Sequence, residues 1–235
     1  MSGAMIAASG LDKTFVLHLQ AGARLDVLRG AGLRVHAGEC VALSGPSGAG
    51  KTTLLRALYG NYLVDRGEIL VRHRGATVDL VTASPETIID IRRVTLGYVS
   101  QFLRAMPRVA AIDVVAGTAL DRGIDGDTAH AQAAAVLTRL GIGPRLHRLP
   151  PATFSGGEQQ RVNLARSFVC AWPVLLLDEP TASLDAANRD IVVDLINAAK
   201  RSGSAVVGIF HDGDVRDRVA DRVFHIEPVT AAEPA

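Results

Sequence analysis

The chain lacks a surplus of charge of either sign. Its 235 residues carry 25 Lys and Arg against 24 Asp and Glu, a formal net charge of +1. No global field therefore recruits nucleic acid or an anionic membrane surface. Aromatic residues are scarce, at 4%, which leaves little for a base-stacking platform. Long apolar runs are missing too. Ser167–Leu177 is about half the roughly 20 residues a membrane helix needs, and Pro173 interrupts it. No Lys or Arg precedes the short Ala- and Gly-rich N-terminal run, so a secretory signal is not expected and a cytoplasmic location is. Cysteine is limited to Cys40 and Cys170, far apart in apolar settings. They are expected to be small buried hydrophobes of a reducing compartment, with no disulfide or metal role.

What is present suits a soluble globular protein: 48% hydrophobic and 21% charged residues, enough for one large domain or two small ones. Gly45-Pro46-Ser47-Gly48-Ala49-Gly50-Lys51-Thr52, followed by Thr53, fits the phosphate-loop pattern G-x-x-x-x-G-K-[ST]. Its setting fits as well. Cys40-Val41-Ala42-Leu43 predicts a short buried strand, and Thr53–Leu58 predicts the helix that follows. Glycines let backbone N–H groups turn inward on a triphosphate, and the helix N-terminus adds the positive end of its dipole. Lys51 then brings a charge to the β- and γ-phosphates, and the Thr52 hydroxyl is the expected Mg²⁺ ligand.

Val174-Leu175-Leu176-Leu177 predicts a parallel strand buried on both faces, ending in Asp178 and Glu179. Carboxylates at that edge suit an NTPase, with Asp178 near Mg²⁺ and Glu179 orienting or deprotonating the attacking water. Ser155 followed by Glu158 is a capping box, so Ser155-Gly156-Gly157 offers a hydroxyl and bare N–H groups at a second helix start.

The order of these three motifs resembles that of ATP-binding cassette (ABC) ATPases, over roughly residues 10 to 227. The resemblance implies an α/β fold of the P-loop NTPase class: a RecA-like core sheet, an antiparallel β subdomain, and a helical subdomain at about 102–165. The domain is expected to span 5–227, with 228–235 as a frayed tail. The antiparallel layer is expected from short strands over about 5–40 and from Arg66–Val71. Asp127–Leu140 is expected to be a helix of the inserted subdomain.

The resemblance further implies that Gln101 reaches Mg²⁺ and the attacking water, and that His211 contacts the γ-phosphate. Ser183-Leu184-Asp185 would cross to a partner subunit, and Phe15 would stack on adenine. ATP and Mg²⁺ are the implied ligands, held between the phosphate loop of one subunit and Ser155, Gly156, Gly157 and Glu158 of the other. The partner is left open between self and a paralogous ABC subunit.

Segments outside the motifs, namely Lys13–His18, Gly60-Asn61-Tyr62, Val78–Thr82, Ile91-Arg92-Arg93, Gly97–Arg104, Pro107-Arg108-Val109 and Thr153–Asn163, resemble the PhnL family, the ABC-type component of bacterial carbon–phosphorus lyase systems. That family implies soluble lyase core subunits as partners and a part in making a ribose 1-phosphonate 5-triphosphate from ATP and a phosphonate. The alternative is the ATP-binding subunit of a transporter of the lipoprotein-release or macrolide-export type, which also carries Ser-Gly-Gly-Glu-Gln-Gln-Arg. Its permease would dock beside Gln101. Arg92, Arg93, Arg104 and Arg108 would serve either partner as a basic patch, or be solvated arginines.

Overall fold

The computed structural model describes residues 3–17, 22–100 and 107–229. The chain begins with two long antiparallel strands, β1 (Ile6–Leu17) and β2 (Ala23–Val35). After a turn come β3 (Cys40–Ser44) and α1 (Lys51–Leu58). A hairpin follows, β4 (Arg66–His73) and β5 (Ala76–Asp79), then α2 (Pro85–Val94) and β6 (Leu96–Val99). The next stretch is helical: α3 (Ala111–Leu120), α4 (Gly126–Arg139), α5 (Pro144–His147), a 3₁₀ turn at Pro151–Thr153, and α6 (Gly156–Phe168). The chain ends in β7 (Val174–Asp178), α7 (Ala186–Arg201), β8 (Ala205–Ile209), α8 (Gly213–Val219) and β9 (Arg222–His225).

Two sheets organise these elements. One is antiparallel, in the order β2-β1-β4-β5; the other is parallel, in the order β6-β7-β8-β3-β9. The short strands expected over 5–40 are instead strands of 12 and 13 residues. Register shifts between Ala8 and Thr14 let β1 bend while staying paired with β2, which is what a bulge does. The helical stretch extends past its expected end at 165, because the turns of α6 continue to Phe168 before Pro173 intervenes. Of the expected tail, residues 230–235 lie outside the described residues.

Strand β7 shows why the parallel sheet is the centre. All five of its residues are buried. Val174 and Leu176 pack with Leu54, Leu55 and Leu58 of α1 on one face. Leu175 and Leu177 pack with Val162 and Leu164 of α6 and Val192 and Ile196 of α7 on the other. Alternate side chains of a strand point to opposite faces, so an unbroken apolar run is what a strand covered twice requires. Cys40 lies fully buried in the same core, and burial pushes its thiol up to about 12. It acts as a hydrophobe, as the sequence suggested.

Helix ends are written locally. Ser84, Asp125, Asp185 and Asp212 each cap a helix with a side-chain oxygen. At α6 both halves of the capping box are present: the Ser155 hydroxyl accepts from the Glu158 N–H, and Glu158 Oε2 accepts from the Ser155 N–H at 2.9 Å. Helix α1 has Gly50 as its N-cap, and no side chain caps it.

Gly97 marks the tightest packing between β6 and its surroundings. A methyl group there would sit 2.6 Å from Trp172 Cγ. The indole cannot yield, because its N–H donates to the Ser167 carbonyl at 2.7 Å and the Arg122 guanidinium lies 4.4 Å over its ring. Gly97→Ala is expected to lower stability by about 2 kcal/mol, the usual cost of overpacking, measured as a lower urea midpoint with an unchanged m-value. An unchanged midpoint would mean that the indole moves freely.

Candidate functional site

Four neighbouring strands, β6, β7, β8 and β3, point the same way. Each is followed at its C-terminal end by a residue or loop singled out in the sequence: Gln101 after β6, Asp178 and Glu179 at β7, His211 after β8, and the glycine loop after β3. In open α/β sheets this edge is where ligands bind.

The loop 45–50 cannot carry side chains at its bends. Gly45, Gly48 and Gly50 have φ of 144°, 81° and 93°. A Cβ at Gly45 would meet the Ile226 carbonyl at 2.4 Å, and one at Gly50 would meet the Val27 carbonyl at 2.7 Å. The residue after β9 and strand β2 thus press on the loop from outside and fix its path. Pro46, Ser47 and Gly48 are exposed while Ala49 is buried. Lys51 Nζ folds back to donate to the Gly45 and Pro46 carbonyls, both at 2.8 Å. An ammonium held across a loop with an uncapped helix behind it is an arrangement that takes up an anion.

Asp178 is 2% exposed, and burial raises its carboxyl pKa above the ordinary range. Both oxygens are engaged. Oδ1 accepts from Thr52 Oγ1 at 3.3 Å and Oδ2 accepts from the Tyr98 hydroxyl at 3.0 Å. Burial and the same carboxylate raise the Tyr98 pKa well above its usual value, so the phenol stays protonated and is the donor. Glu179 follows in a left-handed backbone, φ 54°, which turns its side chain off the strand axis. There His211 Nε2 donates to Glu179 Oε1 at 2.7 Å. The structure therefore brings Thr52 to Asp178 and His211 to Glu179 across gaps of 126 and 32 residues.

A hydroxyl beside a carboxylate, both hard oxygen donors, suits Mg²⁺, which takes one or two protein oxygens and completes its shell with phosphates and water. Among the described residues no group of three or more His, Cys, Asp or Glu could hold a metal by itself. The donor set thus fits a cation that arrives with a phosphate ligand.

Ser155, Gly156, Gly157 and Glu158 stand elsewhere, at the start of α6. Ser155 and Gly156 are exposed, while Gly157 packs toward the Ser183 carbonyl of the loop after β7. Further along, α6 is tied to the site: Gln160 donates to the Pro180 carbonyl at 3.3 Å, and Asn163 to the Ser100 carbonyl at 2.6 Å. Phe15 lies on β1 with its ring 5.4 Å from Tyr62, edge to face, and Lys13 Nζ lies 5.3 Å from the same ring. Gln101 and Arg104 lie outside the described residues.

Of the four arginines that would form a basic patch or stand solvated, Arg93 and Arg108 are exposed, and Arg92 and Arg93 also bind backbone carbonyls. Arg92 donates to the Tyr59 and Gly60 carbonyls, and Arg93 to the Asp121 carbonyl. Their guanidiniums tie α2 to the end of α1 and to α3, satisfying C-terminal carbonyls that helices leave open. The sequence reading missed Tyr98. A tyrosine on a buried strand needs a partner for its hydroxyl, and that requirement was the available signal.

Comparison with known proteins gives consistent neighbours. The family model described as "ABC transporter" matches residues 28–182. The chain is 37% identical over 211 residues to the lipoprotein-releasing system ATP-binding protein LolD of Myxococcus xanthus, covering 89% of this chain and 90% of that one. It is 37% identical over 239 residues to LolD of Maricaulis maris, covering 99% and 100%. It is 36% identical over 200 residues to the macrolide export ATP-binding/permease protein MacB of Nitrobacter winogradskyi, where it covers 85% of this chain and 30% of that protein. Among solved structures, the dimeric bacterial ABC transporter cassette MJ0796 superposes with a TM-score of 0.86 at 25% identity, over 95% of this chain and 94% of that one. A second MJ0796 structure, a dimeric post-hydrolysis state bound to ADP and Pi, gives 0.85 at 25% identity.

Removing the ammonium that spans the glycine loop tests the site directly. Lys51→Ala is expected to weaken binding of a nucleoside triphosphate by roughly 30- to 150-fold, the equivalent of about 2–3 kcal/mol for hydrogen bonds to a charged group. Titration calorimetry measures it, and unchanged affinity would remove the loop from phosphate binding.

Proposed function

The chain belongs to the ABC transporter family of ATP-binding cassettes, and on that premise we propose that it is the ATP-binding subunit of a transporter of the lipoprotein-release or macrolide-export type. The observation that carries this reading is the match along the length of lipoprotein-releasing ATP-binding proteins, 99% of this chain and 100% of the Maricaulis maris protein. The macrolide-export relative is matched over 30% of its length.

The phosphonate-lyase reading gives way here. These relatives are named as transporter proteins, and the segments that suggested a PhnL-type protein have structural work of their own. Tyr62 accepts from Arg56 at 2.9 Å, Asp79 holds the Ile69 and Val81 N–H groups, and Arg92 ties α2 to α1. Those segments describe how this cassette packs, so they do not identify a lyase partner.

ATP with Mg²⁺ is the ligand of this family of ATPases. In the proposed site the backbone of Gly45–Thr53 cradles the phosphates and Lys51 leaves the Gly45 and Pro46 carbonyls for the β- and γ-phosphate oxygens. Thr52 and Asp178 would hold Mg²⁺, with Gln101 as the third contributor, and the ion would supply charge neutralisation for the transferring phosphoryl group. Glu179 takes the proton of the attacking water. His211, already bonded to Glu179, holds that carboxylate in place and reaches the γ-phosphate. Phe15 supplies a face for adenine.

Ser155, Gly156, Gly157 and Glu158 act on the nucleotide of a second copy. They stand at the start of α6, with Ser155 and Gly156 exposed and Gly157 and Glu158 partly buried. The dimeric MJ0796 neighbour supports such a pairing. The permease would seat in the groove between α2, α3 and α6, about 620 Å³, walled by Ile89, Arg93, Val114, Arg166 and Trp172. Ile89 is 63% exposed at its rim. Among the described residues no helix is long and apolar enough to cross a membrane.

Glu179→Gln tests both halves. It keeps the hydrogen-bonding shape and loses the base, so ATP hydrolysis should fall by roughly 10²- to 10⁴-fold while ATP binding persists and a dimer accumulates on gel filtration with Mg-ATP. Tagged protein in this trapped form should bring a membrane permease out of detergent extracts of its own cells. Recovery of soluble phosphonate-lyase subunits in its place would sink the transporter reading.

A further inference from the structure

Tyr98 stands beside Leu176 in the ladder between β6 and β7, two residues before the Asp178 carboxylate. Its hydroxyl takes Asp178 Oδ2, the oxygen that Thr52 does not. The ring stacks on Tyr59 with centroids 4.8 Å apart and planes 27° from parallel. Arg92 in turn lies 5.0 Å over the Tyr59 ring while donating to the Tyr59 and Gly60 carbonyls. Arg56 of α1 donates to the Tyr62 hydroxyl at 2.9 Å. Tyr59, Arg92 and Tyr98 also line the groove between α2, α3 and α6. One side of the Tyr98 phenol therefore belongs to the groove and the other to the carboxylate.

We propose that Tyr98 is a positioning residue for the Mg²⁺ carboxylate: its hydroxyl fixes Asp178 Oδ2, leaving Oδ1 to Thr52, and its ring carries that constraint to the wall of the groove. A carboxylate with one oxygen pinned can present the other in one orientation. Outer partners of this kind set ligand direction, and losing one commonly costs 10- to 100-fold in metal affinity. The same phenol gives the groove a mechanical path to the metal carboxylate, since whatever displaces Tyr59 or Arg92 also tilts the Tyr98 ring. The inference rests on the reading of Thr52 and Asp178 as the Mg²⁺ site.

Tyr98→Phe removes the hydroxyl and keeps the stacked ring. The probe is Mn²⁺, followed by electron paramagnetic resonance in the presence of ATP, alongside fluorescent-nucleotide binding in EDTA. Mn²⁺ affinity should fall about tenfold, and the Mg²⁺ concentration for half-maximal ATPase should rise by a similar factor. Metal-free nucleotide affinity should stay within twofold, which a general loosening of the site would not allow. In an Asp178→Asn background, Tyr98→Phe should add no further loss of Mn²⁺ affinity. If Asp178→Asn weakens Mn²⁺ and Tyr98→Phe does not, or if the two losses simply add, the role of Tyr98 is overturned and the Mg²⁺ site stands. If Asp178→Asn itself leaves Mn²⁺ affinity unchanged, the Mg²⁺ site and this inference fall together.

Discussion

A carboxylate buried at the end of β7 governs this architecture. Burying an ionised carboxyl without partners is costly enough that the group would take up a proton instead. Asp178 is 2% exposed, so it must be met by donors on both oxygens. Thr52 comes from the first turn of α1 and Tyr98 from the neighbouring strand. Their positions require that α1 lie against β7 and that β6 pair with β7 in the register seen. The glycine loop, lying between β3 and α1, is then carried to the same edge. Breaking one partner would leave a buried charge half satisfied, the kind of defect that costs more than the bond itself contributed.

The helical stretch is coupled to that edge through backbone acceptors. Gln160 and Asn163 of α6 reach the carbonyls of Pro180 and Ser100, in the loops that follow β7 and β6. The start of α6 is exposed while its middle is locked onto the site. A displacement of α6 would therefore be felt at the loops carrying Glu179 and leading to Gln101. This linkage runs through hydrogen bonds and packed side chains, a contiguous physical network of the kind that carries coupling in proteins.

Much of this was legible in the residues because the signals are local. An apolar run ending in two carboxylates, Val174–Glu179, can hardly be other than a doubly covered strand with its charges at the rim. Ser155 and Glu158 write their own capping box, which the structure forms in full. The glycine spacing of 45–50 encodes backbone angles that other residues resist. Less legible were the length of β1 and β2, where bulges disturb the period on which strand reading depends, and the duty of Arg92 and Arg93. A guanidinium in a sequence looks the same whether it faces a partner or caps a carbonyl. The phosphonate expectation rested on segments such as Gly60–Tyr62 and Val78–Thr82, whose Tyr62 and Asp79 make internal contacts in this fold.

By itself, the sequence determined the chemistry on offer: a phosphate loop, a strand-end pair of acids and a second helix start closed by a capping box. Each depends on residues within a few positions of one another, so spacing alone carries it. The tertiary structure decided which of these meet. Parallel strand order β6-β7-β8-β3 joins Thr52 to Asp178 and His211 to Glu179, and it brings in Tyr98, which no motif marks. Strand order is set by which buried faces can be covered together, a property of the whole core that no short stretch of residues contains.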